Sequence, residues 1–323
     1  MLRRHPQILL AAFAALVILV PLGFAMIHLH ATPEPGEVQL VWGMQGVQDG
    51  MFQRPRAMAI DSNGEIYVVD KTARIQVFDR NGKFQRGWRT PEFANGKPTG
   101  LTFDSQGNLM VADTHYFRIL FYSPQGEWLT NRTLGGTFGR NPGEFGLVTD
   151  AEQDSQGFLY VSEYGEYDRI QKFTADGQFV MEWGGHGSEP GQFARPQNLA
   201  IDELDQIWVA DACNHRIQVF DASGDEVRLV QIWGSEGSEP GQLKYPYDLI
   251  LEQDDDGSPI IYICEFGNHR VQKLTRDGKF IASWGSVGRG EGELFNPWSL
   301  IKDPQGDLHV LDTYNHRVQR VRL

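Results

Sequence analysis

The stretch His215-Arg-Ile-Gln-Val-Phe220 recurs, aligned on its Arg, as Ala73-Arg-Ile-Gln-Val-Phe78, Phe117-Arg-Ile-Leu-Phe-Tyr122, Asp168-Arg-Ile-Gln-Lys-Phe173, His269-Arg-Val-Gln-Lys-Leu274 and His316-Arg-Val-Gln-Arg-Val321. The arginines stand 44, 51, 47, 54 and 47 residues apart, so one unit is written six times over residues 37–323. A period of this length marks a repeat architecture, in which each unit buries its apolar faces against its neighbours.

Just upstream of each Arg lies a second aligned segment, such as Glu65-Ile-Tyr-Val-Val-Asp70, Gln206-Ile-Trp-Val-Ala-Asp211 and Asp307-Leu-His-Val-Leu-Asp312. These runs are short, rich in β-branched and aromatic residues, and bounded by turn formers such as Asn63-Gly64, which makes them strands. Apolar residues occupy both alternating faces, as in Ile66/Val68 against Tyr67/Val69, so each strand is covered on both sides. An opening strand follows a Pro in most units (Pro55, Pro196, Pro246), and a closing strand ends in Trp (Trp88, Trp183, Trp284). Four strands per unit, six times over, predict an all-β six-bladed β-propeller. The last unit stops after its third strand at Leu323, while Glu37-Val-Gln-Leu-Val-Trp-Gly43 resembles a fourth. The N-terminal strand is therefore expected to complete the last blade and close the ring.

These repeats resemble the NHL family, through Asn214-His-Arg216, Asn268-His-Arg270 and Asn315-His-Arg317 and through inter-blade runs such as Gly184-Gly-His-Gly-Ser-Glu-Pro-Gly-Gln-Phe-Ala-Arg-Pro196. The resemblance covers residues 37–323 and implies the fold; such propellers include both binding modules and enzymes.

The first 36 residues read differently. Residues 1–7 carry Arg3 and Arg4, and residues 8–27 are an uncharged apolar run. As a helix at about 1.5 Å per residue the run would be about 30 Å long, enough to span a bilayer once. Basic residues ahead of it favour a cytoplasmic N-terminus. A membrane-anchored chain is the expectation, with residues 28–36 as linker; a secretory signal cleaved near Gly23-Phe-Ala25 is the competing reading. Either one puts the propeller outside the cytoplasm, on the periplasmic side of the inner membrane in a Gram-negative host.

All 42 Asp and Glu and 27 of the 29 Lys and Arg lie beyond that run, a side-chain balance of 27 − 42 = −15. Such a surface repels nucleic-acid phosphates, so no nucleic-acid partner is expected. Two cysteines, Cys213 and Cys264, leave one disulfide open and exclude a disulfide scaffold.

Six copies of an acid ending one strand and an Arg starting the next (Asp70/Arg74 through Asp312/Arg317) read as a structural pair across a turn, since one active site does not need six. His215, His269 and His316 repeat around the ring, too far apart for zinc, whose ligands sit about 3–3.5 Å from one another. The opening strands line the axis. Their second residue after the Pro, or its aligned equivalent, is Ala57, Gly100, Asp150, Asn198, Asp248 and Ser299, and Asp150, Asn198 and Asp248 are oxygen donors suited to Ca²⁺ or Mg²⁺. The alternative is hydrogen bonding in a wet channel. Arg56, Tyr247 and Trp298, with His115, Tyr116, Tyr164, Phe266 and Tyr314 on nearby turns, form a candidate partner-binding patch.

Within the resemblance, peptidyl-amidoglycolate lyases hold zinc through His residues soon after the Pro of several blades. Here those places hold Arg56, Gln197, Tyr247 and Trp298, which departs from a zinc lyase. The sequence therefore favours a membrane-tethered scaffold or protein-binding module, one form of which is a subunit of an envelope complex. A divalent-metal-dependent hydrolase or lyase working in the channel is the alternative, and small-molecule or glycan sensing is a third reading. Longer loops near residues 130–146 and 252–259 add candidate contact sites.

Overall fold

The computed structural model describes residues 34–323; the apolar run 8–27 lies outside the described residues. Among the described residues no helix is long and apolar enough to cross a membrane. They form six four-stranded antiparallel sheets. Blade 1 is Pro55–Ile60, Ile66–Asp70, Arg74–Phe78 and Phe84–Arg89, and blade 2 is Gly100–Phe103, Leu109–Asp113, Arg118–Tyr122 and Leu134–Gly135. Blade 3 is Leu147–Gln153, Leu159–Tyr164, Arg169–Phe173 and Phe179–Gly184, and blade 4 is Pro196–Ile201, Ile207–Asp211, Arg216–Asp221 and Arg228–Trp233. Blade 5 is Pro246–Gln253, Pro259–Glu265, Arg270–Thr275 and Phe280–Trp284. Blade 6 takes Ser299–Lys302, Leu308–Asp312 and Arg317–Val321 from the end of the chain, and Val38–Trp42 from its start.

The ring closes as the sequence predicts: Val38 pairs with Val321 and Trp42 with Val318, antiparallel. A second tie crosses the same seam. Arg80 of blade 1 pairs with Asp303 and Asp307 of blade 6, and Gln39 donates to Asp307 at 3.0 Å.

Both faces of each blade are apolar because each is packed on the next. Tyr67 and Val69 of blade 1 meet Leu101, Val111 and Leu120 of blade 2, and the same sandwich recurs around the ring. The outer edge adds a lock of its own. The Trp that ends a closing strand slides under the glycine of the next blade's last turn: Trp42 under Gly82, Trp88 under Gly126, and Trp233 under Gly278. At Gly82 φ is +74°, and a Cβ there would fall inside the Trp42 ring, so both the turn and the close approach require glycine.

Because strands alternate in direction, the turns between second and third strands share one face with the connectors that join successive blades. We call this the connector face. The other hairpin turns occupy the opposite face.

Removal of Val38–Trp42 leaves Arg317–Val321 as a bare edge and exposes the blade 1 surface that Trp42 covers. We expect the truncated propeller to lose its cooperative thermal transition rather than melt a few degrees lower; circular dichroism and limited proteolysis distinguish the two.

Candidate functional site

The opening strands enclose an axial channel of about 380 Å³, lined by all six blades. In blades 1, 4 and 5 the pairing register slips just after the Pro, at Pro55/Ala57, Pro196/Asn198 and Pro246/Asp248. The extra residues are Arg56, Gln197 and Tyr247. A bulge re-aims a side chain, and here all three line the channel at its connector-face mouth.

The residue before each of these prolines is left-handed: Arg54 (φ 48°), Arg195 (φ 60°) and Tyr245 (φ 50°), with Asn296 (φ 50°) matching them in blade 6. Side-chain-bearing residues adopt this conformation at a cost, more so ahead of proline. The preceding blade holds each one by its N–H. His316 Nδ1 accepts from Arg54, His215 Nδ1 from Tyr245 and His269 Nδ1 from Asn296, all at 3.0 Å, and Asp168 Oδ1 accepts from Arg195 at 3.0 Å. The three histidines are thus latches between blades, a role the sequence reading missed because the acceptor and the donor belong to different repeats. Accepting through Nδ1 requires the neutral ring, and burial pushes all three below the usual histidine range.

Asp150, Asn198 and Asp248 all reach the channel, and each is spent on the next blade. Asp150 Oδ2 accepts from Leu199 N at 3.1 Å and from Asn198 Nδ2 at 2.8 Å. Asn198 Oδ1 accepts from Leu249 N at 3.1 Å, and Asp248 Oδ2 from Leu300 N at 2.9 Å. Ser299 Oγ continues the series, accepting from Met58 N at 3.1 Å. The two remaining positions, Ala57 and Gly100, have no acceptor to offer. The fit to Ca²⁺ or Mg²⁺ is correspondingly poor. The one Asn198 oxygen is taken by a backbone N–H, and one oxygen of each Asp is likewise used. Among the described residues no group of three or more His, Cys, Asp or Glu side chains is placed to hold a metal ion.

Burial raises these acids. Asp150 is held well above the usual carboxylate range, with Glu152 adding repulsion; Asp248 rises to about 7 and Glu152 to about 8. Thr102 Oγ1 donates to Glu152 Oε1 at 3.1 Å. Glu152, which the sequence reading passed over, sits two residues after Asp150 on the same opening strand.

The aromatic patch differs from an exposed one. Tyr247 and Trp298 are only 7% and 8% exposed. Tyr247 stacks on Phe266 at 4.4 Å and meets Trp298 edge-on at 4.8 Å, and Phe266 also packs near Tyr314 at 6.1 Å. His115, Tyr116 and Tyr164 are half-buried on neighbouring turns. These rings form a shelf for arginines: Arg56 lies over Trp298 at 5.1 Å, Arg195 between Tyr164 and Tyr247 at 4.7 and 5.3 Å, and Arg54 over Tyr314 at 4.8 Å. None of the three guanidiniums has a carboxylate partner among the described residues. Arg56 donates to Lys97 O at 3.3 Å and Arg195 to Gln197 Oε1 at 3.0 Å. Burial pushes Arg56 below its ordinary value. Cys213 and Cys264 are both free thiols.

The acid and Arg pairs do more than fix a hairpin. In blade 4 Asp211 holds Arg216, whose guanidinium donates to Ser188, Glu189 and Gln192 carbonyls, while Gln218 bonds Gly191 N and Gln192 O. The repeated Arg-x-Gln therefore clamps the incoming connector. Blade 2 breaks the pattern. Leu120 replaces the Gln, and Arg118 finds only Asp113 and Glu92. Asp113 Oδ1 and Arg118 Nη2 are buried without a partner, and desolvation raises Asp113 to about 6. The connector over residues 90–98 is the one without the parallel bridge found in the other five.

Two pH effects follow. Replacing His215, His269 and His316 with Asn keeps an acceptor and tolerates the left-handed backbone. A depressed histidine contributes stability above its unfolded value near 6.5 that is lost as pH falls, so the wild type should melt progressively lower than the triple variant below pH 6.5. Asp248 acts in the opposite sense. Its raised value favours the folded state at low pH, so the wild type should lose stability relative to Asp248→Asn as pH climbs from about 4 through about 7. Melting curves across pH check both. Asp150→Ala, which leaves Leu199 N and Asn198 Nδ2 unsatisfied, should cost about 1–3 kcal/mol.

Comparison with known proteins agrees with this geometry. A family model described as NHL repeat matches residues 193–220, which run from the buried Phe193 of a connector through Asp211, Arg216 and Gln218 of its clamp. Peptidylglycine alpha-amidating monooxygenase of Rattus norvegicus is 35% identical over 137 residues, 40% of this chain and 14% of that protein. Peptidyl-alpha-hydroxyglycine alpha-amidating lyase 1 of Drosophila melanogaster is 25% identical over 220 residues, 57% of this chain and 40% of that protein. The chain thus spans less than half the length of these relatives. An auxiliary nutrient binding protein from Bacteroides ovatus shares the fold, with a TM-score of 0.65 and 15% identity over 87% of this chain and 72% of that one. Residues 193–220 match the NHL repeat, and the described residues form a six-bladed β-propeller.

Proposed function

We propose that the protein is a membrane-tethered, extracytoplasmic binding module that receives an anionic group of a protein partner at the connector-face mouth of its channel. One observation carries the reading. In a chain of net charge −13, three guanidiniums stand at this mouth with no carboxylate partner among the described residues. Arg56 and Arg195 lie over Trp298, Tyr164 and Tyr247, and each spends one N–H on a neutral oxygen, which leaves its other N–H groups for a carboxylate. The apolar run 8–27 supplies the tether in this reading, and the acidic remainder of the surface disfavours nucleic acid.

A second reading has its own support. Asp248 and Glu152, raised to about 7 and about 8, are tuned for general acid–base work near neutral pH, and one relative is named a lyase. Since the donor set does not suit a resident divalent ion, such chemistry would fall to these carboxyls.

Affinity isolation of the full chain from native membranes should recover a stoichiometric partner. The Arg56→Ala/Arg195→Ala double variant should lose it by about tenfold or more while its melting temperature holds. Equal recovery by the double variant, or no partner at all, overturns the binding reading. Product formation from peptide mixtures that Glu152→Gln abolishes would put the lyase reading in its place.

A further inference from the structure

The connector face is not uniform around the ring, and blade 2 is where it departs most. Two large apolar side chains stand out from the connectors on either side of this blade: Phe93 is 51% exposed and Phe138 is 49% exposed. They are joined through the blade's own turn. Asn95 N donates to the Tyr116 hydroxyl at 3.2 Å, and the next residue, Phe117, packs edge-on against Phe138 at 5.1 Å. A ridge bearing Phe93, Tyr116, Phe117 and Phe138 therefore runs from one connector to the next, its first step bridged by the Asn95 backbone.

The exposed charge along this ridge is mostly basic, against the net charge of the molecule; Glu92, beside Phe93, is paired with Arg118 at 2.8 Å. Arg89 lies over the Phe93 ring at 5.0 Å, and Lys97 is exposed with no carboxylate partner among the described residues. Arg140 is largely exposed and reaches a single carboxylate among the described residues, Glu182 at 3.6 Å. Lys97 also continues directly to the mouth, since its carbonyl takes the Arg56 guanidinium. The connector carrying Phe93 is the one that the Arg-x-Gln clamp does not hold, so it can adjust to what lies on it.

We infer that this ridge is a docking surface for an acidic, apolar-containing segment of a partner protein, whose apolar side chains cover Phe93 and Phe138 while its carboxylates meet Arg89, Lys97 and Arg140. The inference rests on the binding reading and extends it from the mouth to a path across blade 2. Opposite charge selects the segment, and the aromatic ridge supplies the apolar area that holds it.

Fluorescence polarisation with two labelled peptides tests this, one alternating Glu with Leu and the other Lys with Leu. The Glu–Leu peptide should bind and weaken with salt; Phe93→Asp, Phe138→Asp and Lys97→Glu should each weaken it about tenfold. Leu204→Asp, exposed on the opposite face, should change nothing. Melting temperatures of the variants confirm that they fold. Equal binding of the Lys–Leu peptide, or Glu–Leu affinity indifferent to Phe93→Asp and Phe138→Asp, overturns the docking surface. If Arg56→Ala/Arg195→Ala still abolishes partner recovery from membranes in that case, the mouth reading survives alone. If the peptide binds through Phe93 but partner recovery ignores the two arginines, the mouth reading falls instead.

Discussion

A sheet that is apolar on both faces cannot exist alone in water, and this condition governs the molecule. Each blade must be covered twice, once by the blade before it and once by the blade after it. In an open row the two end blades would each leave one face wet. A ring has no ends, and here it closes because Val38–Trp42 pairs with Arg317–Val321 within one sheet. The tie between Arg80 and the Asp303/Asp307 pair then fastens that sheet to blade 1.

Polar groups extend the same logic inward. Around the channel, around the mouth and along the outer edge, hydrogen bonds and close packing run from one blade to the next. The residues that would otherwise look most chemical, Asp150, Asn198, Asp248 and the three turn histidines, are held in those contacts. What remains uncommitted is a small set at the mouth. Arg54, Arg56 and Arg195 owe their aim to strained backbone just before or after a proline, held in place by the neighbouring blade. Strain gathered at one place and held from outside is a usual mark of a functional surface.

Most of the fold could be read from residues 37–323, because period-two strands, turn formers and a six-fold repeat all speak of local structure. The blade count and the closing strand needed nothing more. The site was legible only in outline. Aligning the repeats brought Asp150, Asn198 and Asp248 to the axis but could not show that their oxygens face the next blade's N–H groups. Exposure was harder still: Tyr247 and Trp298 share an aromatic stack with Phe266, which no single repeat contains. Glu152 was missed because no other blade has an acid at the aligned position, and Arg195 because a residue before a proline gives no sign of being left-handed.

The shared sixth blade also sets an order on biosynthesis. Of the propeller's strands Val38–Trp42 is made first and its partner Arg317–Val321 last, so the earliest strand waits unpaired until every other strand has been made. Blades 1 to 5 can stack as they appear, but the first and fifth keep a bare face until the strands of blade 6, Ser299–Lys302 to Arg317–Val321, arrive. Any chain cut short before Arg317 therefore has nothing with which to finish the ring, and quality control would meet it as an open, sticky stack.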